Sequence, residues 1–206
     1  MRLISTTLML CVMCLGFASA IDLLEGDLLF SAPAQGNAIT AVTSGADGLP
    51  IDHVGIVHYV GGKPDLAYVI EATGAGVVLT PVDTFLCRNA SVVAGRLTEP
   101  FDVSLSMARA LNYVGRPYDY YFDPGDSAIY CSELVQICYV DSQSHPVFST
   151  TPMSFHDASG RVTDYWRQYY NNVGREVPEG APGTNPGEMS RRPEITILGL
   201  ITTSEP

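Results

Sequence analysis

Short aliphatic and β-branched runs bounded by Gly, Pro and Asp occupy the first half of the chain, at residues 27–30, 54–60, 67–72, 77–82 and 91–97. They predict a β-meander. The hydrophobic period then lengthens. Residues 101–114 carry Val103, Met107, Ala110, Leu111 and Val114 at helical spacing, with Asp102 and Ser104 near the start to cap a first turn. Residues 130–140 predict a second helix with Leu134, Val135, Cys138 and Tyr139 on its apolar side, and residues 161–172 a third, rich in aromatics. Residues 173–193 hold Pro178, Pro182, Pro186 and Pro193 among several glycines, which predicts an irregular, surface-following segment within the same domain. Residues 195–201 return as a strand. No internal repeat is visible, and strands followed by helices imply an α+β fold, an antiparallel sheet or partial barrel packed against helices.

The first twenty residues have a different pattern. Arg2 is a positive start, residues 8–17 are an apolar run, and Ala18-Ser19-Ala20 is a small-x-small cleavage site, together the pattern of a secretory signal peptide. The run is shorter than the roughly 20 residues a membrane span needs, and Asp22, Glu25 and Asp27 follow at once. The expectation is therefore an exported protein, periplasmic or extracellular, that begins at Ile21, keeps no integral membrane segment, and forms one domain over 21–206.

Of 206 residues, 11 are Lys or Arg and 22 are Asp or Glu, a formal net charge of −11, and Lys63 is the only lysine. Nucleic-acid binding is built on cations that neutralise phosphates, so the composition speaks against a nucleic-acid partner. Cys11 and Cys14 leave with the signal, so three cysteines remain: Cys87, Cys131 and Cys138. An odd number in an oxidising compartment implies at least one free thiol, either buried and inert or reactive for a purpose. A Cys87–Cys138 disulfide and three small buried apolar side chains are both compatible with the sequence.

Two stretches carry candidate chemistry. On a strand over 54–60 extended back to Asp52, His53, Gly55, Val57 and Tyr59 share one face while His58 lies on the other. That separation argues against a zinc site built from His53 and His58, and His145 and His156 add no metal spacing, so no metal and no cofactor is expected. A hairpin centred near Gly62 sets His53 directly opposite Glu71, where a carboxylate fixes the tautomer and orientation of an imidazole. An ordinary edge-strand pair is the alternative, and Pro64 can shift the register.

The second stretch runs from Pro124 to Val135. Asp126 or Ser127 can cap a helix there, which places Cys131 in or just after the first turn. Backbone N–H groups and the positive end of the helix dipole favour a thiolate at such a position and can form part of an oxyanion hole. Against this, Cys138 lies seven residues on along the same face, as in a helix whose cysteines only pack.

Glu25-Gly26-Asp27-Leu28-Leu29-Phe30, then His53-Val54-Gly55-Ile56-Val57, Ile70-Glu71-Ala72 with Gly76-Val77, Gly115-Arg116-Pro117-Tyr118-Asp119 and Tyr130-Cys131-Ser132-Glu133-Leu134-Val135 form an ordered set. It resembles the circularly permuted papain-like cysteine hydrolases of the NlpC superfamily, in particular the YiiX-like branch, related to lecithin retinol acyltransferase. The order carries the resemblance, because the histidine strand precedes the cysteine helix. It covers about residues 25–140, and Pro186-Gly187-Glu188-Met189-Ser190 resembles the tail of that branch.

The resemblance implies a permuted papain-like fold with the cysteine at a helix N-terminus, and a triad of Cys131 as nucleophile, His53 as base then acid, and Glu71 as orienting residue. It implies acyl transfer to water through a thioester, at the amide of a cell-wall peptide, an amino-acid conjugate or a lipid amide. Tyr130, Tyr118 and Asp119 are implied on the substrate and oxyanion side. A lipid acyl hydrolase or acyltransferase on the same triad, and a non-catalytic binding module, are the alternatives.

Overall fold

The computed structural model describes residues 21–201 apart from residues 99, 124 and 126. The signal sequence with Cys11 and Cys14, and the Asp126 cap, therefore lie outside the described residues. Alternation in the first half of the chain becomes five strands: β1 (Leu28–Ala32), β2 (His53–Tyr59), β3 (Ala67–Thr73), β4 (Gly76–Pro81) and, after helix α1 (Val82–Arg88), β5 (Ser91–Leu97). Helices α2 (Val103–Asn112) and α3 (Cys131–Cys138) follow, then a two-residue strand β6 (Thr151–Pro152) and helix α4 (Asp164–Asn171). The chain ends through β7 (Pro182–Gly183), the short helix α5 (Pro186–Met189) and β8 (Ile195–Ile201).

Six strands make one open antiparallel sheet in the order β4-β3-β2-β1-β5-β8, with β4 and β8 at its edges, while β6 pairs with β7. No barrel closes among the described strands. Alternating side chains divide between two faces. Leu28, Phe30, Val54, Ile56, Ile70 and Ala72 join Leu134, Val135 and Cys138 of α3 and Met107 of α2 in the main core. On the other face Leu29, Val57, Val69, Val92 and Ala94 pack against Val82 and Phe85 of α1. Burying a side chain the size of Phe85 contributes roughly 1.5–3 kcal/mol. No helix among the described residues is long and apolar enough to cross a membrane.

Three features depart from expectation. α1 replaces a strand end predicted to run to Val82, because Pro81 adopts the N-cap position and Asp83 and Arg88 match the helix dipole at either end. Seven residues are too few for a helical period to show, and the buried Val82 and Phe85 hold the helix on the sheet. α3 begins at Cys131 with Tyr130 as its N-cap, later than a cap at Asp126 or Ser127; the Tyr130 N–H donates to Glu133 Oε2 at 3.3 Å. The Pro/Gly-rich segment, expected to be irregular and surface-following, instead carries β7 and α5 and turns inward. Met189 enters the main core, and Asn185 caps α5 by accepting from the N–H groups of Gly187 and Glu188 at 2.8 and 3.1 Å. Proline and glycine keep the regular elements there short, as β7 and α5, without excluding burial.

Candidate active site

The site starts from strand register. Ile56 pairs with Ile70 and Val57 with Val69, so Gly55 rather than His53 stands opposite Glu71. The turns Val60–Gly62 and Pro64–Leu66, with Gly61 and Gly62 at φ of 64° and 69°, shift the hairpin by two residues from the direct pairing expected. An even shift keeps His53 and Glu71 on one face. Gly55 then becomes essential: a Cβ there meets Val69 Cγ1 at 2.3 Å and Glu71 Cβ at 3.3 Å. Through this bare position the imidazole leans diagonally, and His53 Nε2 meets Glu71 Oε2 at 2.7 Å.

Glu71 has no exposed surface, a position that demands partners for a carboxylate. Thr80 Oγ1 donates to Oε1 at 2.5 Å from β4, and Arg88 Nη2 at the end of α1 donates to Oε2 beside His53. Burial works against the charged form, but the hydrogen bond and charge of His53, with the bonds from Thr80 and Arg88, hold the Glu71 pKa below its ordinary value. The Phe85 ring lies 6.1 Å from the His53 ring and 5.0 Å from the Arg88 guanidinium carbon, so α1 floors this cluster.

Cys131 is the first residue of α3, with 4% of its surface exposed. Its thiol interacts with His53, which is also hydrogen-bonded to Glu71. Since Glu71 engages Nε2, Nδ1 is the nitrogen left for the sulfur. Burial alone lowers the affinity of this imidazole for a proton; the hydrogen bonds and charges of Cys131 and Glu71 outweigh it and push the His53 pKa up to about 10. The group is a base held between a thiol and a carboxylate.

The sulfur lies in the wall of a cavity of about 280 Å³. Phe122, Phe155 and Trp166, part of the aromatic cluster built around α4, line it together with Ile39, Val42 and Met153. Thr184, Glu188 and Arg191 of the tail and Asp52 supply its polar rim. Tyr118 and Tyr130 also line it. Burial, then the charges of Cys131 and Asp119, raise the Tyr118 pKa well above the usual tyrosine value, so its hydroxyl keeps its proton. The Tyr130 hydroxyl accepts from the Thr184 N–H at 3.0 Å, and burial pushes its pKa up to about 12.

Asp119 is not brought to the cavity. It is buried, and its carboxylate accepts the N–H groups of Tyr121 and Asp123 at 2.8 and 2.6 Å, which shapes its own loop. His58 is indeed on the far side, where its Nδ1 meets Glu25 Oε1 at 2.7 Å and Glu25 Oε2 also accepts the Tyr59 N–H at 2.6 Å. Cys87, Cys131 and Cys138 are all free thiols. Cys87 is exposed on α1 while Cys138 lies in the core on the opposite face of the sheet, so the disulfide considered above is not formed. Arg88, Thr80 and the tail residues Thr184, Glu188 and Arg191 escape sequence reading. The tail motif Pro186-Gly187-Glu188-Met189-Ser190 was the one signal pointing there.

Among solved structures the chain is similar to one described as the metalloprotein yiiX from Escherichia coli O157:H7, DUF1105, at a TM-score of 0.70 and 22% identity over 87% of this chain and 98% of that one. At that identity the likeness is one of fold. Among the described residues, no three His, Cys, Asp or Glu side chains converge as metal ligands, and His53, His58, His145 and His156 each face a different carboxylate. No curated protein matches the chain significantly. A family model described as the permuted papain-like amidase enzymes, YaeF/YiiX, C92 family, matches residues 22–199, and with the cysteine helix following the histidine strand in an antiparallel α+β fold, this chain belongs to that family of papain-like cysteine amidases.

Proposed function

We propose that this amidase works through Cys131, His53 and Glu71 on an amide substrate outside the cytoplasm. The observation that carries the reading is the His53 imidazole hydrogen-bonded to Glu71 while it also interacts with the Cys131 thiol. His53 Nδ1 takes the thiol proton and the sulfur attacks the amide carbon, giving a tetrahedral oxyanion. The first-turn N–H groups of α3 meet the charge that develops there, and Tyr118, which lines the same cavity, keeps a proton to donate to it. As the C–N bond breaks, Nδ1 returns the proton to the leaving amine, and a thioester remains on Cys131. Water, deprotonated by the same nitrogen, then attacks the thioester carbon, and the thiol and a carboxylic acid are released. Throughout, Glu71 holds the tautomer with Nε2–H and stabilises the imidazolium. Export rests on Arg2, the apolar run and Ala18-Ser19-Ala20, and an N-terminus at Ile21 in the protein recovered from the host tests it.

Peptides and amino-acid conjugates are the substrates of this reading. The apolar lining of the cavity by Phe122, Phe155, Trp166 and Met153 favours a second one, in which the acyl group is a lipid chain. Incubation with peptide amides, N-acyl amino acids and phospholipid vesicles separates them: free amine supports amide cleavage, and fatty acid from the vesicles alone supports the lipid reading. Independently of substrate, iodoacetamide should label Cys131 stoichiometrically at mildly acidic pH, read on its own peptide by mass spectrometry because Cys87 is exposed. His53→Ala should abolish that acidic reactivity. Equal labelling of wild type and His53→Ala at acidic pH would remove the imidazole from the mechanism.

A further inference from the structure

A cation from α1 reaches the carboxylate of this site. Arg88 Nη2 donates to Glu71 Oε2, the same oxygen that accepts His53 Nε2, while Thr80 occupies Oε1. Among these three partners, Thr80 is neutral and His53 changes charge as it takes up and returns a proton, whereas a guanidinium stays charged at every working pH. Whenever His53 is neutral, Arg88 is the charged partner left to a carboxylate with no exposed surface.

We propose that Arg88 is a positioning residue of the site: it keeps the buried Glu71 ionised and aimed at His53 through the whole proton cycle. The inference rests on the Cys131, His53 and Glu71 reading. Geometry supports both halves of the role. The guanidinium lies over the Phe85 ring at 5.0 Å, and His53 packs on the same ring at 6.1 Å, so both donors approach Oε2 from one aromatic floor. The Arg88 side chain remains 39% exposed, so its outer edge stays hydrated while its inner nitrogen enters the site. Among the described residues, the other charged or titratable groups facing this cluster are Cys131 of α3, Asp52 ahead of β2, whose charge acts on His53, and Tyr118, which lines the same cavity as Cys131. Of these, Asp52 and Cys131 carry negative charge when ionised, so neither substitutes for a cation at Glu71.

Loss of the cation acts first on Glu71, whose burial already favours its protonated form. The carboxylate then takes up a proton at higher pH, and below that pH the imidazolium loses its counter-ion. In Arg88→Met, the acidic limb of the rate of Cys131 alkylation by iodoacetamide against pH should move up by about one pH unit or more, a tenfold slower labelling on that limb. Arg88→Lys should bring the limb most of the way back to its wild-type position, and in a Glu71→Gln background Arg88→Met should produce no shift. Arg88→Gln, which keeps donors without charge, gives the same comparison if the Met variant folds poorly. An Arg88 that only ties α1 to the sheet would lower the melting temperature and leave the limb in place. A folded Arg88→Met or Arg88→Gln protein with the wild-type limb, or an undiminished shift in the Glu71→Gln background, overturns the proposal. Failure of the underlying triad shows separately, as a wild-type profile that His53→Ala does not change.

Discussion

Replacing Glu71 with glutamine removes one charge from the centre of the site and almost nothing of its shape. The amide oxygen must take the Oε2 position, where it still accepts from His53 Nε2 and Arg88; the NH₂ then faces Thr80 Oγ1, which turns from donor to acceptor. His53, Arg88 and Thr80 each keep a partner in this arrangement, so the His53 tautomer is kept, while the second amide N–H and the Thr80 hydroxyl proton must find other acceptors. What is lost is the electrostatic support of the imidazolium, one of the contributions that bring His53 to about 10. Each unit by which that value falls costs about a factor of ten in the population of the charged pair. Turnover should therefore fall roughly 10- to 100-fold, nearer the lower end of the 10- to 10⁴-fold range of such replacements because the tautomer survives.

Stability gives a second reading of the same variant. A histidine whose value rises on folding stabilises the native state fully below its ordinary value of 6.5, and that contribution is lost as pH climbs through about 10. The wild type should therefore lose stability over pH 6.5 to 10, and Glu71→Gln should show a flatter dependence there by denaturant unfolding. The opposing sign holds for Glu71 itself, whose lowered value adds stability that disappears on acidification. If Glu71→Gln matches wild type in both the pH profile of Cys131 alkylation and turnover, the carboxylate has no part in the chemistry.

Two further perturbations separate the site from its surroundings. Gly55→Ala places a Cβ against Val69 and Glu71, so it should cost about 1–3 kcal/mol of stability and slow turnover by displacing Glu71; unchanged turnover with lowered stability would show that the diagonal contact tolerates the shift. His58→Ala removes the contact with Glu25 on the far side and should leave turnover within about twofold while lowering stability by about 1 kcal/mol, measured by urea unfolding; a large loss of turnover would contradict its separation from the site.

Much of the fold could be read in the chain because the signals are local. Strand β5 (Ser91–Leu97) and the returning Ile195–Ile201 have the expected bounds, and Asp102 caps α2 by accepting the Leu105 N–H at 2.8 Å. Period, turn residues and caps act within a few residues of themselves, so sequence alone sets the strands, the main helices and the face that His53 and Glu71 share. The order of His53, Glu71 and Cys131 along the chain, with the motifs around them, likewise marked the family. Tertiary structure decided what depends on distant partners. A two-residue change of register, made by the glycine turns, moved Gly55 into the position opposite Glu71. α1 is helical because the sheet buries Val82 and Phe85, and only its docking brings Arg88 to Glu71. Asp119 is held in its own loop because two backbone N–H groups there bind its carboxylate. The tail turns inward because Met189 finds space in the main core, and no local pattern in a Pro/Gly-rich segment encodes the space that another part of the chain leaves open.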